Sequence, residues 1–197
     1  MPLTANEYHQ KGIESIQNKD WQGALVEFDE ALKLEPNNIE SLQGKATSLL
    51  WLKKYDEALT IVLSALALNN MDADLHYLAS VIYLAQKDLD HAEERLLDAL
   101  LLSPSSAEVY HVQGAIMFER KNYSEAIKYL NIAIDKTPEN CQFHHTKGTV
   151  LMELKNWQEA KLSFQAIVEI EPNYAGAEER LNYCDTKLLG VTDQEYH

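Results

Sequence analysis

The feature that most limits how this chain can fold is a spacing of 34 residues that runs through most of its length. Alanine recurs at this spacing five times, as Ala24, Ala58, Ala92, Ala126 and Ala160. A bulky apolar residue follows four places after each alanine, as Phe28, Val62, Leu96, Leu130 and Phe164. The copies follow one another without insertion or deletion. They therefore predict a tandem array of five units, residues 5–38, 39–72, 73–106, 107–140 and 141–174.

Each copy has room for two helices of about 13 residues, an ordinary helix length. The break between them ends in a residue that, in four copies of five, is a good N-cap: Asp20, Lys54, Asp88, Asn122 and Asn156. Asn122 with Glu125, and Asn156 with Glu159, fit the capping-box spacing. Proline ends the second helix in four copies because it cannot continue a helix. These residues are Pro36, Pro104, Pro138 and Pro172, and Asn70 takes the same place in the second copy.

Small residues recur on the first helix of each copy, where we expect it to approach the alanines of the second helix closely: Gly12, Ala46, Ser80, Gly114 and Gly148. The bulky residues that begin with Phe28 are then expected to fill the space between one copy and the next.

The period and these positions match the tetratricopeptide repeat pattern, which the first copy shows most fully in Tyr8, Gly12, Trp21, Ala24 and Phe28. The chain resembles that family over residues 5–174. The resemblance implies an all-α fold, a right-handed superhelical solenoid of antiparallel helix pairs. It departs from the pattern at His76 and His144, which replace the first aromatic residue.

The two ends of such an array need capping because each repeat contacts mainly its neighbours. Residues 1–4 are predicted as an N-terminal cap in which Thr4 forms a capping box with Glu7. Residues 175–189 are predicted as a capping helix, and residues 190–197 as a C-terminal tail. One apolar stripe is expected on the capping helix: Ala177, Leu181, Cys184 and Leu188.

The charge of the chain is strongly negative, with 31 acidic and 17 basic residues and a formal net charge of -14. This opposes binding to nucleic acid, which requires a basic surface, and favours a basic partner. No signal peptide and no membrane insertion are expected. Cys141 and Cys184 do not suggest a disulfide framework, so a reducing, cytoplasmic location is predicted.

No catalytic residue, cofactor site or metal site is predicted, and the chain is not expected to be an enzyme. The strongest metal candidate is the group of Cys141, His144 and His145. His144 occupies the packing position of Tyr8, however, and His145 lies about 100° further round the same helix. The two histidines therefore point to different faces.

In proteins of the family that this chain resembles, the side of the first helices opposite the packed side lines a concave groove that grips peptides or partner helices. Positions two, five, nine, twelve and thirteen of each copy fall on that side. The predicted groove residues are His9, Gln43, Thr47, Trp51, Tyr77, Val81, Leu84, His111, Phe118, His145 and Met152. The predicted acidic groove edge is Glu40, Asp74, Glu108, Glu119 and Glu153. The alternative is that some of the apolar residues pack between helices.

The predicted function is that of an adaptor or scaffold that binds an extended or helical protein segment with apolar and basic residues. Some members of the family hold acidic C-termini in a clamp of Lys, Asn and Arg, but no three successive copies reproduce it here. His9, His111 and His145 share one row, which raises the hypothesis of a pH-sensitive grip. The alternative function is a self-associating structural subunit, and so a homo-oligomer.

Overall fold

The fold is built entirely from α-helices over residues 2–190, which are the residues that this computed structural model describes. Eleven helices and no strand occur in that range. The helices are α1 (Ala5–Gln17), α2 (Trp21–Leu34), α3 (Ile39–Trp51), α4 (Tyr55–Leu68), α5 (Ala73–Ala85), α6 (Leu89–Leu102), α7 (Ala107–Glu119), α8 (Tyr123–Lys136), α9 (Cys141–Glu153), α10 (Trp157–Ile170) and α11 (Ala177–Leu188). The predicted all-α class is confirmed. No helix within residues 2–190 has the length and apolar character that a bilayer crossing requires.

The chain divides into two compact units, Met1–Pro104 and Ser105–His197. Unit 1 contains α1 to α6, and each helix in it packs against the next one along the chain. The first helices of neighbouring copies also touch, α1 with α3 and α3 with α5. Unit 2 contains α7 to α11, in which the same pairing repeats and α7 also touches α9.

The packing between the first two copies of unit 1 is organised by Phe28, which is fully buried. A Cβ added to Gly12 would lie 2.7 Å from the Phe28 ring, and one added to Gly44 would overlap the same ring. Gly12 belongs to the same copy as Phe28 and Gly44 to the next. One benzyl side chain therefore fills the space between two first helices, as the spacing predicted.

Unit 2 repeats this contact with different side chains. Leu130 lies against Gly114, and Phe164 against Gly148, each close enough that an added Cβ would be 2.7 Å away. Both bulky side chains are fully buried. Close backbone approach compensates for the roughly 1 kcal/mol that a glycine costs inside a helix.

The turn between the two helices of each copy places a lysine in the left-handed conformation. The φ angles lie between 56° and 64° at Lys19, Lys53, Lys87, Lys121 and Lys155. In the first copy the N–H of Asp20 donates to the Ser15 carbonyl at 2.8 Å, and the N–H of Lys19 donates to the Ile16 carbonyl at 2.9 Å. This is the Schellman helix ending, for which glycine is the usual residue. Sequence reasoning did not anticipate these lysines.

Most of the predicted helix caps are present. Thr4 and Glu7 form both halves of the capping box of α1. Asp20, Asp88 and Asn156 each accept a backbone N–H of the second helix. The prediction for Asn122 is wrong, because its side chain caps no backbone N–H and lies 3.4 Å from the Ser124 hydroxyl instead.

The capping helix α11 begins at Ala177, two residues later than predicted, because Gly176 adopts a left-handed φ of 78°. Ala177 and Cys184 are fully buried, but Leu188 is 43% exposed. The apolar stripe thus ends before Leu188. Of the predicted tail, residues 191–197 lie outside the described residues, as does Met1 of the predicted N-terminal cap.

Gly44→Ala is expected to destabilise the protein because the new methyl group has no room beside the buried Phe28 ring. Overpacking costs about 1–3 kcal/mol, against which the better helix propensity of alanine returns roughly 1 kcal/mol. We therefore expect a net loss of about 1 kcal/mol in the free energy of unfolding, measured by urea denaturation. Combining Gly44→Ala with Phe28→Leu should cost less than the sum of the two single changes. A Gly44→Ala variant as stable as the wild type would contradict the packing described.

Lys155→Gly is expected to stabilise the protein, because glycine adopts a φ of 56° without the steric cost that a Cβ incurs. The expected gain is about 0.5–1 kcal/mol in the free energy of unfolding. Gln165→Gly, within the exposed surface of α10, is the matched control and should lose about 1 kcal/mol. A loss at both positions would show that the turn gains nothing from glycine.

Candidate interaction site

The predicted groove residues of unit 1 all retain some solvent exposure. Six are half-buried and Trp51 is exposed, and the list is His9, Gln43, Thr47, Trp51, Tyr77, Val81 and Leu84. Glu40 and Asp74 of the predicted acidic edge are exposed. Trp51 and the two acidic residues are thus open to a partner, and the role of the whole set as a binding surface stays a prediction.

Trp51 in unit 1 combines an aromatic stacking contact with high solvent exposure. It lies at the end of α3 and stacks on Trp21, the first residue of α2, with ring centroids 5.0 Å apart and planes 8° from parallel. Trp51 is nevertheless 59% exposed. One face of the indole is therefore held in place by the protein while much of its surface stays open, which lowers the entropy cost of using it in binding.

His9 links the first helices of two neighbouring copies. Its Nδ1 lies 3.0 Å from the Ser41 hydroxyl on α3, and its ring lies 5.6 Å from the Phe28 ring. Its Nε2 is 4.0 Å from the Glu40 carboxylate, which is exposed. Only 12% of the His9 side chain is exposed. His9 therefore contributes more to the contact between helices than to an open surface.

His111 occupies the same position in unit 2 and is buried, with 9% exposure. Its ring stacks on Phe143 at 4.9 Å, and its Nε2 lies 2.9 Å from the Thr146 hydroxyl. Because that hydroxyl donates to the Gln142 carbonyl, its oxygen accepts from the His111 Nε2–H. Burial lowers the pKa of His111 to about 4. The imidazole is therefore neutral near pH 7, which removes His111 from any pH-sensitive grip between about pH 5.5 and 8.

The other predicted residues of unit 2 are less deeply placed. Phe118 packs against Tyr123 with ring centroids 5.9 Å apart. His145 lies edge-on to Phe164 at 5.9 Å, and burial, followed by the positive charge of Arg180, lowers its pKa. Along the predicted acidic edge, Glu108 and Glu153 are exposed and Glu119 is half-buried.

A cleft of about 480 Å³ opens between α9 and α11 in unit 2. It is lined by Met152, Glu179, Arg180, Asn182 and Tyr183. We call it the α9–α11 cleft. It combines an apolar thioether, an aromatic ring, an amide and a guanidinium, which is the mixture found in sites for small groups or peptide side chains.

Sequence reasoning assigned α11 to capping alone and so missed Arg180 and Tyr183. The signal was present, because extending the 34-residue register into α11 places Tyr183 on the same position as Val81 and Thr47. Tyr183 also meets Trp157 edge-on, with centroids 6.0 Å apart. The capping helix therefore presents side chains in the manner of the first helix of a further repeat.

The cysteines provide no reactive centre in the described part of the chain. Cys141 and Cys184 are free and buried, and burial raises the pKa of both thiols. A neutral, buried thiol is a poor nucleophile and a poor metal ligand. Within residues 2–190, no cluster of three His, Cys, Asp or Glu side chains is arranged to hold a metal ion.

Comparison with known proteins identifies the architecture. Residues 15–80 match the tetratricopeptide repeat family model. The structure resembles TTC0263, a thermophilic tetratricopeptide repeat protein of Thermus thermophilus, with a TM-score of 0.85 over 92% of this chain and 98% of that one, at 18% identity. The fold is that of a tetratricopeptide repeat protein. The family resemblance predicted from the sequence is thus confirmed.

Two further solved structures share the tetratricopeptide repeat fold. MamA of Desulfovibrio magneticus RS-1 aligns with a TM-score of 0.66 at 21% identity, over 89% of this chain and 99% of that one. YrrB, described as a tetratricopeptide repeat protein with an unusual peptide-binding site, aligns with a TM-score of 0.59 at 18% identity, over 87% of this chain and 89% of that one. The comparison with curated proteins gave no match.

The buried His111 makes a testable contribution to pH dependence. In the unfolded chain, His111 takes up a proton below its ordinary pKa of about 6.5. In the folded chain, it takes up the proton only near pH 4. The contribution of His111 to the free energy of unfolding is therefore constant above about pH 6.5. It decreases by about 3 kcal/mol in total as the pH drops toward 4.

His111→Gln should flatten this part of the pH profile, measured as the free energy of unfolding by urea at several pH values between about 7 and 4.5. His144→Gln, on α9 of the same unit, controls for removing a histidine. A slope change no larger in His111→Gln than in His144→Gln would contradict the buried, neutral imidazole.

Proposed function

We propose that this chain is a protein-interaction adaptor that binds a partner segment along the exposed side of its first helices. The tetratricopeptide repeat fold supports an interaction scaffold in general. The observation that carries the proposal is the stacked, open Trp51, on the same helix as Gln43 and Thr47. Large exposed aromatic residues on a rigid element are characteristic of binding hot spots.

The proposed partner is an extended or helical segment that carries apolar and basic residues. The formal charge of -14 and the exposed Glu40 and Asp74 attract cations, and they repel acidic chains and nucleic acid. Position five, where a carboxylate clamp would place Lys or Asn, carries neither residue in any copy. The residues there are His9, Gln43, Tyr77, His111 and His145. We propose binding, not catalysis, in a reducing, cytoplasmic compartment, which accords with the two free thiols.

The second candidate is a self-associating structural subunit. The observation that favours it is the end of α11, where Leu188 is 43% exposed and Leu189 is 80% exposed. Exposed apolar residues at the end of a repeat array invite another chain to cover them. A mass that rises with protein concentration would favour this candidate, and a constant monomer mass would favour the adaptor.

Trp51→Ala is expected to weaken binding of apolar and basic peptides by at least about tenfold, because hot-spot aromatics contribute about 2 kcal/mol or more. Binding would be measured by fluorescence polarisation against a labelled peptide array that varies in charge at constant apolar content. Leu97→Ala is the matched control, because Leu97 is 53% exposed but lies on α6, a second helix. The Leu97→Ala variant should bind the peptides with the same affinity as the wild type.

The charge preference has its own variant in the same experiment. Glu40→Gln with Asp74→Gln should reduce affinity for the basic peptides and weaken its dependence on salt. Equal binding by wild type, Trp51→Ala and the charge variant would overturn the proposed surface. Tighter binding of acidic than of basic peptides to this surface of unit 1 would overturn the proposed partner.

A further inference from the structure

Arg180 lines the α9–α11 cleft, where the side-chain contacts described for it are with neutral groups. Its guanidinium carbon lies 5.8 Å from the centre of the Phe164 ring, and Nη1 lies 4.0 Å from the sulfur of Met152. Both contacts orient the side chain, and neither supplies a negative charge. The residue is half-buried, so its charge is only partly hydrated.

Arg180 stands apart from the other cations that bridge helices. Lys161 on α10 pairs with Asp185 of α11 at 2.5 Å, and Lys45 on α3 pairs with Asp29 of α2 at 2.7 Å. No carboxylate of residues 2–190 lies within 4.0 Å of the Arg180 guanidinium, although Glu179 lines the same cleft. With 31 acidic residues in the chain, a partner for Arg180 would be easy to provide.

The surroundings of Arg180 suit one carboxylate attached to a peptide. Guanidinium groups bind carboxylates through two parallel hydrogen bonds. Asn182 and Tyr183 also line the cleft and carry an amide and a hydroxyl that can donate, while Met152 provides an apolar surface. A volume of about 480 Å³ is within the range of sites for small groups.

We propose that the α9–α11 cleft binds the side-chain carboxylate of a single Asp or Glu in the partner segment, with Arg180 as its ligand and Met152 and Tyr183 holding a neighbouring apolar residue. The lining residues contain one cation, Arg180, and one exposed carboxylate, Glu179, so the cleft matches a single ligand carboxylate and not the pair at an acidic C-terminus. The inference rests on the proposed binding role and adds one acidic residue to a segment otherwise apolar and basic.

The test uses the full chain and two labelled, amidated peptides rich in leucine and lysine, one with a central glutamate and the other with glutamine there. On the wild type the glutamate peptide should bind about tenfold more tightly, and on Arg180→Gln the two should bind equally. Arg180→Lys should keep part of the difference because it keeps the charge but loses the bidentate geometry. Lys161→Gln, which removes a paired cation from the neighbouring helix, should keep all of it.

Circular dichroism and thermal unfolding would establish that each variant is folded. Equal affinity of the two peptides for the wild type would overturn this inference while leaving the adaptor role intact, and so would a glutamate preference that survives Arg180→Gln. A third peptide has the central glutamine and a free C-terminal carboxylate, and selective binding of that peptide through Arg180 would overturn the side-chain assignment. Failure of every peptide to bind would overturn both proposals.

Discussion

The structure depends on one packing constraint, the insertion of a bulky side chain against a glycine of a first helix, which Phe28, Leu130 and Phe164 each provide. Phe28 illustrates it, because its ring touches Gly12 in its own copy and Gly44 in the next. A contact that joins successive copies in this way also fixes how the first helix of each copy is rotated. The rotation decides which residues remain open: on α3, Ala46 is fully buried while Trp51 is exposed.

Much of the fold follows from residues that can be read locally. A 34-residue period, a proline after the second helix and an N-cap before it specify helix bounds with little room for alternatives. The turn lysines were not predicted because the Schellman ending is normally recognised by glycine, and a lysine in that conformation carries no sequence signal of its own. Asn122 does not act as a cap, and its side-chain oxygen accepts from the Ser124 hydroxyl instead, a choice of partner that residue type alone does not reveal.

The candidate site was predicted less completely because helical periodicity sorts residues by direction but not by depth. His9, His111 and His145 lie at the same position in their copies, yet His111 is buried under Phe143, and an aromatic residue occurs at that place only in the fifth copy. Neighbours of this kind come from another helix, and the helical periodicity of one helix does not predict them. Arg180 and Tyr183 were overlooked for a different reason, since a helix that caps an array was assumed to present only solvated side chains.

The charges of the chain bear on two parts of the proposed binding, a general attraction and a specific contact. An excess of carboxylates keeps a solenoid soluble and biases it toward cations without specifying a partner. Specificity needs a charge of the opposite sign in a defined place, because a buried polar group without its partner penalises every ligand that fails to satisfy it. We propose this role for Arg180, which is half-buried, contacts Phe164 and Met152 and lines a cleft, while the Asp185 carboxylate on the same helix pairs with Lys161. Under the two proposals the general attraction resides in exposed carboxylates such as Glu40 and the specific contact in Arg180, so either can be altered by substitution without altering the other.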